Sequence, residues 1–426
     1  MAAFLYGIAL WVALPWVLLR LWWRGRSERG YRLAIAERFG RYRGRSARPV
    51  IWIHAVSMGE TRAARPLVAL LRSGFPDYEL LITHMTATGR EAAMDLYGGE
   101  ATLAWLPYDY PFAVRAFLRR FTPRIGILME TEVWFNLVRA CKIDGVPLLL
   151  ANARLSERSA RGYRLAGALS RDAFSALAAV AAQTGDDAER LRSLGARNIV
   201  VTGNMKFDVV HDEPDSGLVS LLRRRAGDRW IFLAASTREG EETLILDAWQ
   251  AEPVDDALLV IVPRHPQRFR DVARLLDVRG IPYHRRSDAR EIAASTGIFL
   301  GDSLGELASY YAAADVAFIG GSLLPQGGQN LIEACAAAVP VLIGPHTYNF
   351  SQVSEEAIVA GAAERVPDAR SLVQSVRSLL ADETKRRAMG QAGEVFCERH
   401  RGAAARTLVL AEELLRSSGG PGNDRS

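Results

Sequence analysis

A regular alternation of short apolar runs with longer amphipathic stretches most constrains how this chain can fold. The short runs have the length and composition of strands, and the stretches between them have helical periodicity. Strands that alternate with helices predict parallel sheets covered by helices on both faces, an α/β fold. The predicted strands are Val50 to Val56, Glu79 to Met85, Ala101 to Pro107, Ile125 to Glu130, Val146 to Ala153, Ala178 to Thr184, Ile199 to Gly203, Trp230 to Ala235, Ala257 to Pro263, Ile298 to Gly301, Val316 to Gly320 and Val339 to Gly344.

The chain is too long for one ordinary hydrophobic core, because it has 426 residues. The polar stretch from His211 to Ser220 is the best boundary between two doubly wound domains. Ligands of open parallel sheets bind outside the carboxyl ends of the strands, so we expect the site in a cleft between the domains. The predicted parts are a membrane anchor at 1–24, α/β domains at 31–210 and 211–416, and a disordered tail at 417–426.

Residues 1–19 carry no charged side chain, which is close to the ~20 apolar residues that span a bilayer. Trp22 and Trp23 stand where interfacial aromatics belong, and the arginines around them favour a cytoplasmic body. A cleaved signal peptide is disfavoured because the charge comes after the apolar stretch. Pro15 leaves open whether the helix spans the membrane or lies in one leaflet.

The overall charge does not indicate nucleic acid as a partner. Charged residues make up 24% of the chain and apolar residues 49%, with a formal net charge of +5. The arginines are clustered near the start, which suits an anionic membrane face or a phosphorylated lipid. For the second of two clusters a solvated linker is an equal alternative. The clusters are Arg20, Arg24, Arg26, Arg29 and Arg32, then Arg38, Arg41, Arg43, Arg45 and Arg48.

No cofactor and no metal are expected. Cys141, Cys335 and Cys397 are far apart and show no metal-ligand spacing, which is typical of buried thiols in a reducing cytosol. The chain also lacks a convincing Walker loop, GxGxxG fingerprint or DxD motif.

A glycine-rich loop follows the predicted strand that begins at Val316. Gly321 and Ser322 lie in this loop, and Asn330 begins the helix that follows. Loop amides and a helix N-terminus attract a phosphate, and Glu333 inside the helix is placed to accept hydrogen bonds from a ribose. The alternative is a βα turn that only reverses the chain.

Two acidic segments follow strands in the first half. Glu60 comes after Val50 to Val56 and is a candidate general base; alternatively it only complements the dipole of its helix. A helix N-terminus should lower its pKa and weaken it as a base. The pair Glu130 and Glu132 is placed to orient a polyhydroxylated substrate, or to cap a helix with Thr131 as the N-cap.

Polar residues after other strands predict a binding site for an anion. Lys206 can reach a phosphate as a point charge, and Ser236 and Thr237 can bind the same group or simply cap a helix. Arg264 and His265 follow another strand and can bind a nucleotide or an acidic sugar.

Taken together, the motifs closely resemble the 3-deoxy-D-manno-octulosonic acid (Kdo) transferases of Gram-negative lipopolysaccharide synthesis. The resemblance runs over nearly the whole chain and includes the N-terminal anchor. It is carried, in order, by ERFG, HAVSMGE, THMTATGR, METEVW, NARLSERS, VTGNMK, STREGEE, PRHP and the glycine loop that ends in NLIEA.

This resemblance implies a GT-B glycosyltransferase at the cytoplasmic side of the bacterial inner membrane. It implies inverting, metal-independent transfer of Kdo from CMP-Kdo to a lipid A precursor, a tetraacyl disaccharide bisphosphate. Glu60 resembles the catalytic base and Glu132 a further essential acid. The donor-site residues that it implies are Lys206, Ser236, Thr237, Arg264, Asn330 and Glu333.

Three positions depart from the family pattern. Arg238 and Gln329 stand where histidine is usual, and Phe135 stands where proline is usual. Two further functions stay open: another GT-B nucleotide-sugar enzyme, such as an epimerase or a different glycosyltransferase, and a membrane-tethered binding module without turnover. The number of Kdo residues transferred is not fixed by these motifs.

Overall fold

The computed structural model describes residues 2–43, 48–209, 214–288 and 296–418. They form two compact units, the first made of Met1–Val209 with His400–Ser426 and the second of Val210–Arg399. The second unit therefore ends at Arg399 and not at the expected residue 416, because the last helix packs with the first unit. Of the expected boundary and tail, residues 211–213 and 419–426 lie outside the described residues.

Helices and strands alternate along the chain as the sequence predicts. The helices are α1 Ala2–Ser27, α2 Met58–Ala63, α3 Arg65–Gly74, α4 Ala87–Tyr97, α5 Pro111–Phe121, α6 Phe135–Asp144, α7 Glu157–Leu165, α8 Ala168–Ser175, α9 Gly185–Ser193, α10 Ser216–Ala226, α11 Glu241–Ala251, α12 Pro266–Val278, α13 Leu307–Ala313, α14 Ile332–Ala336, α15 Ser351–Val359, α16 Ala369–Ala381, α17 Glu383–His400 and α18 Ala403–Ser418. Short 3-10 helices lie at Arg29–Arg32, Ile35–Phe39 and Met205–Phe207. The strands are β1 Val50–His54, β2 Glu79–His84, β3 Thr102–Trp105, β4 Pro123–Met129, β5 Leu148–Ala153, β6 Ala179–Ala182, β7 Ile199–Val201, β8 Trp230–Thr237, β9 Ala257–Pro263, β10 Tyr283–Arg285, β11 Ile298–Leu300, β12 Val316–Ile319, β13 Val341–Ile343 and β14 Ala363–Arg365.

The first unit is built on a parallel sheet of seven strands in the order β3-β2-β1-β4-β5-β6-β7. Both of its faces are buried, as a parallel sheet requires. Along β1, Val50 and Trp52 join one apolar cluster, while Ile51 and Ile53 join the cluster on the other face. This period of two explains why β1 is apolar without interruption. The order reverses direction between β1 and β4.

The second unit repeats the architecture with the order β10-β11-β9-β8-β12-β13-β14, all pairs parallel. Its strand order changes direction between β8 and β12. Phe232 and Ala234 of β8 and Leu259 and Ile261 of β9 are fully buried in one apolar cluster of this unit.

Helix α1 packs on the first unit near both of its ends. Near its start, the Tyr6 hydroxyl donates to Asp109 Oδ2 at 2.9 Å, and the carbonyl of Leu10 accepts from the Tyr110 hydroxyl at 2.8 Å. Near its end, Leu21 is buried. The helix is therefore part of the unit and does not stand apart from it.

The opposite face of α1 is exposed and apolar. Within the described residues, its segment Phe4–Arg26 is the one helix long and apolar enough to cross a membrane, by length and composition alone. The exposed side chains recur at helical spacing along one stripe: Phe4, Ile8, Val12, Trp16, Leu19 and Trp23.

One arginine of the second cluster has a role that the sequence does not predict. Arg38 is buried, and its guanidinium carbon lies 3.8 Å from the ring centre of Trp105 while Nη2 donates to the Met85 carbonyl at 3.2 Å. It is neither a solvated linker residue nor a lipid contact. Arg45 lies outside the described residues; Arg41, Arg43 and Arg48 are exposed.

Candidate functional site

In the first unit the acidic residues lie where the strand order reverses. Glu60 follows β1 and Glu130 and Glu132 follow β4, and these two strands are neighbours in the sheet. The carboxyl ends of strands at a reversal of this kind are the usual ligand-binding position in open α/β sheets. Two segments separated by about seventy residues of sequence thus bring their carboxylates together at one edge.

A capping arrangement fixes Glu60 at the start of α2. Ser57 is the N-cap, and its hydroxyl accepts from the Glu60 amide at 3.3 Å and donates to Glu60 Oε1 at 2.8 Å. The other carboxylate oxygen, Oε2, accepts from the Val56 amide at 2.9 Å. This is close to a capping box, in which N-cap and third residue satisfy each other. Glu60 therefore completes the helix start and also carries a fixed, buried carboxylate.

The pKa of Glu60 moves in the direction opposite to the expected one. Burial, and after it the charge of Glu130, raise this pKa to about 7, against the hydrogen bonds from Val56 and Ser57, which lower it. The expectation that the helix N-terminus weakens this base is therefore wrong. Glu60 is only 8% exposed, and removal of its carboxylate from water outweighs the favourable amide contact. A carboxylate with a pKa near neutrality is suited to general base catalysis.

Glu132 is held by an aromatic side chain. The indole Nε1 of Trp134 donates to Glu132 Oε2 at 2.8 Å. Burial raises the pKa of Glu132, with the charge of Glu130 adding to it and the bond from Trp134 opposing it. The expected helix cap by Thr131 is not formed, because α6 begins at Phe135 and the Thr131 hydroxyl donates to the carbonyl of Arg154.

The cap of α6 comes from a different loop. Both oxygens of Asp109 accept amides of its first turn, from Asn136 at 3.0 Å and from Leu137 at 2.8 Å. Burial raises the pKa of Asp109 to about 6. The sequence signal for this cap is absent, because Asp109 is distant along the chain and belongs to the segment after β3.

Glu130 is a site residue that the sequence prediction left out of its catalytic set. It has a positive φ of 57° immediately after β4. A residue other than glycine in this conformation costs of order 1–3 kcal/mol and tends to occur at functional sites. The available signal was its pairing with Glu132 two residues later.

The predicted donor residues of the second unit also converge at a reversal of strand order. Ser236 and Thr237 end β8, the glycine loop follows β12, and Arg264 and His265 follow β9. These three strands are adjacent in the sheet, in the order β9-β8-β12. The structure therefore brings the three segments to one sheet edge, as predicted.

The amides of the glycine loop are already used by a carboxylate. Glu241 is fully buried, its Oε2 accepts from Gly321 N at 2.6 Å, and its Oε1 accepts from Ser322 N and Leu323 N, both at 2.9 Å. The prediction that the amides of Gly321 and Ser322 cradle a phosphate does not fit this arrangement. A carboxylate of the protein takes the place expected for the anion and fixes the loop on α11.

The Ser322 side chain is structural as well. Its hydroxyl accepts from Gly344 N at 2.8 Å and donates to the carbonyl of Ile319 at 2.5 Å. It is fully buried, so it ties the end of β12 to the end of β13.

Cationic side chains lie at the same edge. Arg264 Nε donates to Gln329 Oε1 at 3.2 Å, and the charges of Arg264 and Arg238 both act on His265. Burial, followed by these two charges, lowers the pKa of His265. A bound anion would offset the repulsion between these positively charged groups. Arg238 and Gln329, two of the departures from the family pattern, are thus part of this cluster.

Ser236 and Thr237 have different environments. Ser236 has a positive φ of 56°, a second strained position at a strand end. Thr237 is fully buried, and its hydroxyl donates to Glu242 Oε1 at 3.0 Å, while Glu242 also accepts from Arg268 at 3.3 Å. The side chain of Thr237 therefore supports the edge from within.

The remaining donor candidates are placed as follows. Asn330 Nδ2 donates to Glu333 Oε1 at 3.2 Å, and Asn330 Oδ1 accepts from Ile332 N at 3.2 Å. The helix predicted from Asn330 begins two residues later, at Ile332, and has only five residues. Lys206 lies in the first unit, in the short helix Met205–Phe207.

No three His, Cys, Asp or Glu side chains converge in a geometry that could hold a metal ion, within the residues described above. The three cysteines are buried, and none of them forms a disulfide.

Solved structures with the same architecture show the fold class. The structure of S. aureus MnaA with UDP matches with a TM-score of 0.58 over 89% of this chain and 100% of that one, at 16% sequence identity. At this identity the likeness concerns the fold alone. A family model described as "Glycosyl transferases group 1" matches residues 281–396. Two parallel α/β units with this match place the chain in the GT-B class.

Sequence relatives identify the family. The family model described as "3-Deoxy-D-manno-octulosonic-acid transferase (kdotransferase)" matches residues 34–209. The 3-deoxy-D-manno-octulosonic acid transferase of Bordetella pertussis is 44% identical, over 96% of this chain and 99% of its own length. The transferase of the same name from Haemophilus influenzae is 36% identical, over 97% and 98%. The chain is therefore a glycosyltransferase and belongs to the 3-deoxy-D-manno-octulosonic acid (Kdo) transferase family.

Proposed function

We propose that this protein transfers Kdo from CMP-Kdo to a lipid A precursor, a tetraacyl disaccharide bisphosphate, with inversion and without a metal ion. The observation that carries the proposal is Glu60, a buried carboxylate whose pKa is about 7, at the reversal of strand order in the first unit. Family membership supplies the sugar, and the chemistry of each sheet edge supports the roles of acceptor and donor.

Glu60 acts as the base on the acceptor. Its carboxylate takes the proton of the acceptor hydroxyl as the new bond forms between that oxygen and the anomeric carbon of Kdo. The bond between the anomeric carbon and the phosphate oxygen of CMP breaks, and CMP leaves with the electron pair. Attack on the face opposite the leaving group inverts the anomeric centre. Glu132, fixed by Trp134, orients the acceptor sugar.

The second unit stabilises the leaving group. CMP departs as a monophosphate, and Arg264 and Arg238 lie beside His265 at the edge where the donor residues converge. Fixed positive charges near a developing negative charge are among the largest contributions to catalysis. The carboxylate of Kdo is a second anion for the same cluster. Asn330 and Glu333, bonded to each other, are the proposed contacts for the ribose.

The protein is proposed to work at the cytoplasmic side of the inner membrane, where α1 attaches it. The exposed apolar stripe of α1 supports this. Lipid headgroups presented at the membrane surface would then meet the acidic edge of the first unit.

The central test is Glu60→Gln, assayed with CMP-Kdo and lipid A precursor and read by mass spectrometry. Removal of a general base typically costs 10²–10⁴-fold in rate, and we expect a loss of this size with donor binding retained. Glu189→Gln, at an exposed position on α9, is the matched control. Transfer by Glu60→Gln at the wild-type rate would refute the assignment. An epimerase would instead alter CMP-Kdo without an acceptor. The mass spectra of the transfer products would also show the number of Kdo residues added.

Metal independence has its own test. Because Arg264 and Arg238 supply positive charge at the donor edge, we expect EDTA to leave the transfer rate unchanged. A large loss of activity that magnesium restores would show that the charge of a metal ion is required.

A further inference from the structure

A cavity of about 400 Å³ lies between α1 and the carboxyl edge of the first sheet. One wall is the inner face of α1, with Leu10, Ala13 and Val17 at helical spacing. The opposite wall comes from the segments after β3 and β4, including Tyr108 and Trp134. Its size is within the range of binding sites for small molecules.

The polar groups around this cavity have partners inside the protein. The Tyr6 hydroxyl bonds to Asp109, the Tyr110 hydroxyl to the Leu10 carbonyl, and the Tyr163 hydroxyl to the Thr131 carbonyl at 3.1 Å. Asp109 also accepts two amides of α6. A ligand gains nothing from competing for these satisfied groups, so the lining favours a ligand without polar atoms.

Two residues that line the cavity lie beside the acidic edge. Trp134 lines it and also donates through its indole N–H to Glu132 at 2.8 Å. Tyr163 lines it as well, and burial together with the nearby charge of Glu132 raises the pKa of the tyrosine hydroxyl to about 12. A ligand whose polar head lies at Glu132 can therefore place a hydrocarbon tail beneath α1.

We propose that this cavity holds one fatty acyl chain of the lipid acceptor while its sugar headgroup lies at Glu60 and Glu132. The outer face of α1 is an apolar stripe and its inner face is the cavity wall, so a chain passing from a lipid layer into the cavity stays in apolar surroundings. This inference rests on the proposed function, because the acceptor must be an acylated sugar. It adds a binding site for an acyl chain, and the bound chain would position the sugar headgroup of the acceptor.

The test fills the cavity from the helix side. Ala13→Phe adds a large apolar side chain at the wall without removing a hydrogen bond, and Ala9→Phe makes the same change at an exposed position one turn earlier. The probe is a phosphorylated disaccharide acceptor with a diazirine in one acyl chain, photolysed on the full-length protein in membranes. We expect cross-links on peptides containing Tyr108 or Trp134 in wild type and Ala9→Phe, and at least a tenfold loss in Ala13→Phe.

Two further arms separate the possible failures. A phosphatidylethanolamine with the same diazirine chain should label these peptides at least tenfold less; equal labelling would overturn the assignment to the acceptor. Ala13→Phe should lower kcat/KM at least tenfold for the acylated acceptor, relative to Ala9→Phe. Unchanged turnover and labelling in Ala13→Phe would overturn the acyl site while wild-type transfer continues. Absence of transfer by the wild type would instead refute the proposed function.

Discussion

At the scale of single residues, the sheet edge of the first unit is organised around a carboxylate that resists ionisation. A shift of Glu60 from 4.5 to about 7 corresponds to roughly 3 kcal/mol of preference for the protonated form. The folded state binds this proton more tightly than the unfolded state does. The stabilisation is therefore complete below about pH 4.5 and is lost as the pH rises towards 7. At neutral pH this contribution of Glu60 to the free energy of unfolding is smaller than at pH 4.5, and the carboxylate is a base of suitable strength.

The same pKa predicts the pH dependence of activity. Because the ionised form of Glu60 is the base, kcat/KM should rise with pH through a limb near 7. Glu130→Gln removes a negative charge that raises this pKa, so the limb should move to lower pH. The measurement is the pH profile of kcat/KM for both proteins, with Glu189→Gln as a control that leaves the limb in place. A limb that stays at the same pH in Glu130→Gln would show that another group titrates.

The sequence predicted where the acidic residues lie relative to the strands, but it did not predict their burial or their neighbours in the fold. Glu60 follows an apolar strand, which places it at the edge; its burial and the nearby Glu130 depend on β4, far away in sequence. Glu241 is the clearer case, because it lies 80 residues before Gly321, whose amide it accepts. A glycine loop alone does not show whether its amides are free or already bonded.

At the scale of elements, the contacts of α1 favour one of the two orientations that the sequence left open. Tyr6 bonds to Asp109 near the start, and Arg24 bonds to the Tyr31 hydroxyl at 3.1 Å near the end. This stretch is about 27 Å long at 1.5 Å per residue, close to the thickness of the hydrocarbon core. If α1 spanned the bilayer, the polar loops that hold it would lie in hydrocarbon. We therefore propose that α1 lies along the membrane surface, with its apolar stripe inserted.

This orientation predicts the location of the N-terminus. A reporter fused before Met1 should stay in the cytoplasm and resist protease added to spheroplasts, because both ends of α1 are then on the same side. A reporter joined to an unrelated spanning helix of known outward orientation is the control and should be cleaved. Cleavage of the reporter on this protein would show that α1 crosses the membrane.

Strands in the interior of the sheets were more predictable than strands at the sheet edges. All twelve predicted strands are confirmed, with ends that shift by no more than two residues. The two that the prediction missed, Tyr283–Arg285 and Ala363–Arg365, have three residues each and contain charged or polar side chains. Both are the outermost strands of the second sheet, where one side needs no apolar run. The helical stretch after β1 is divided into two helices: α2 ends at Ala63, and α3 begins at Arg65 with Pro66 in its first turn.

At the scale of the whole molecule, the second unit is inserted into the first. The chain leaves the first unit at Val209 and returns at His400, and α18 then packs on α3 and β4. Asp208 holds this return, since its two oxygens accept from Gly402 N at 2.5 Å and Ala404 N at 2.6 Å. The first unit therefore needs residues from both ends of the chain.

Truncation should expose this dependence. A chain that ends at Arg399 loses α18, and burial of Leu415 alone contributes about 1.5–3 kcal/mol. We expect the first unit to be digested by limited proteolysis while a fragment near residues 210–399 survives. A chain that ends at Ser418 keeps α18 and should behave as the full protein. Equal resistance of both truncated chains would contradict this role of α18.

The insertion also orders events during synthesis. Helix α1 leaves the ribosome first, whereas α18 leaves last. At about 5–20 residues per second, the second unit occupies the ribosome for about 10–40 s in between. Throughout that interval the nascent first unit has α1 ready for the membrane and an uncovered apolar face where α18 will pack. Recruitment to the bilayer can thus precede completion of the fold, and a chaperone that shields this face during translation would act on a defined, transient surface.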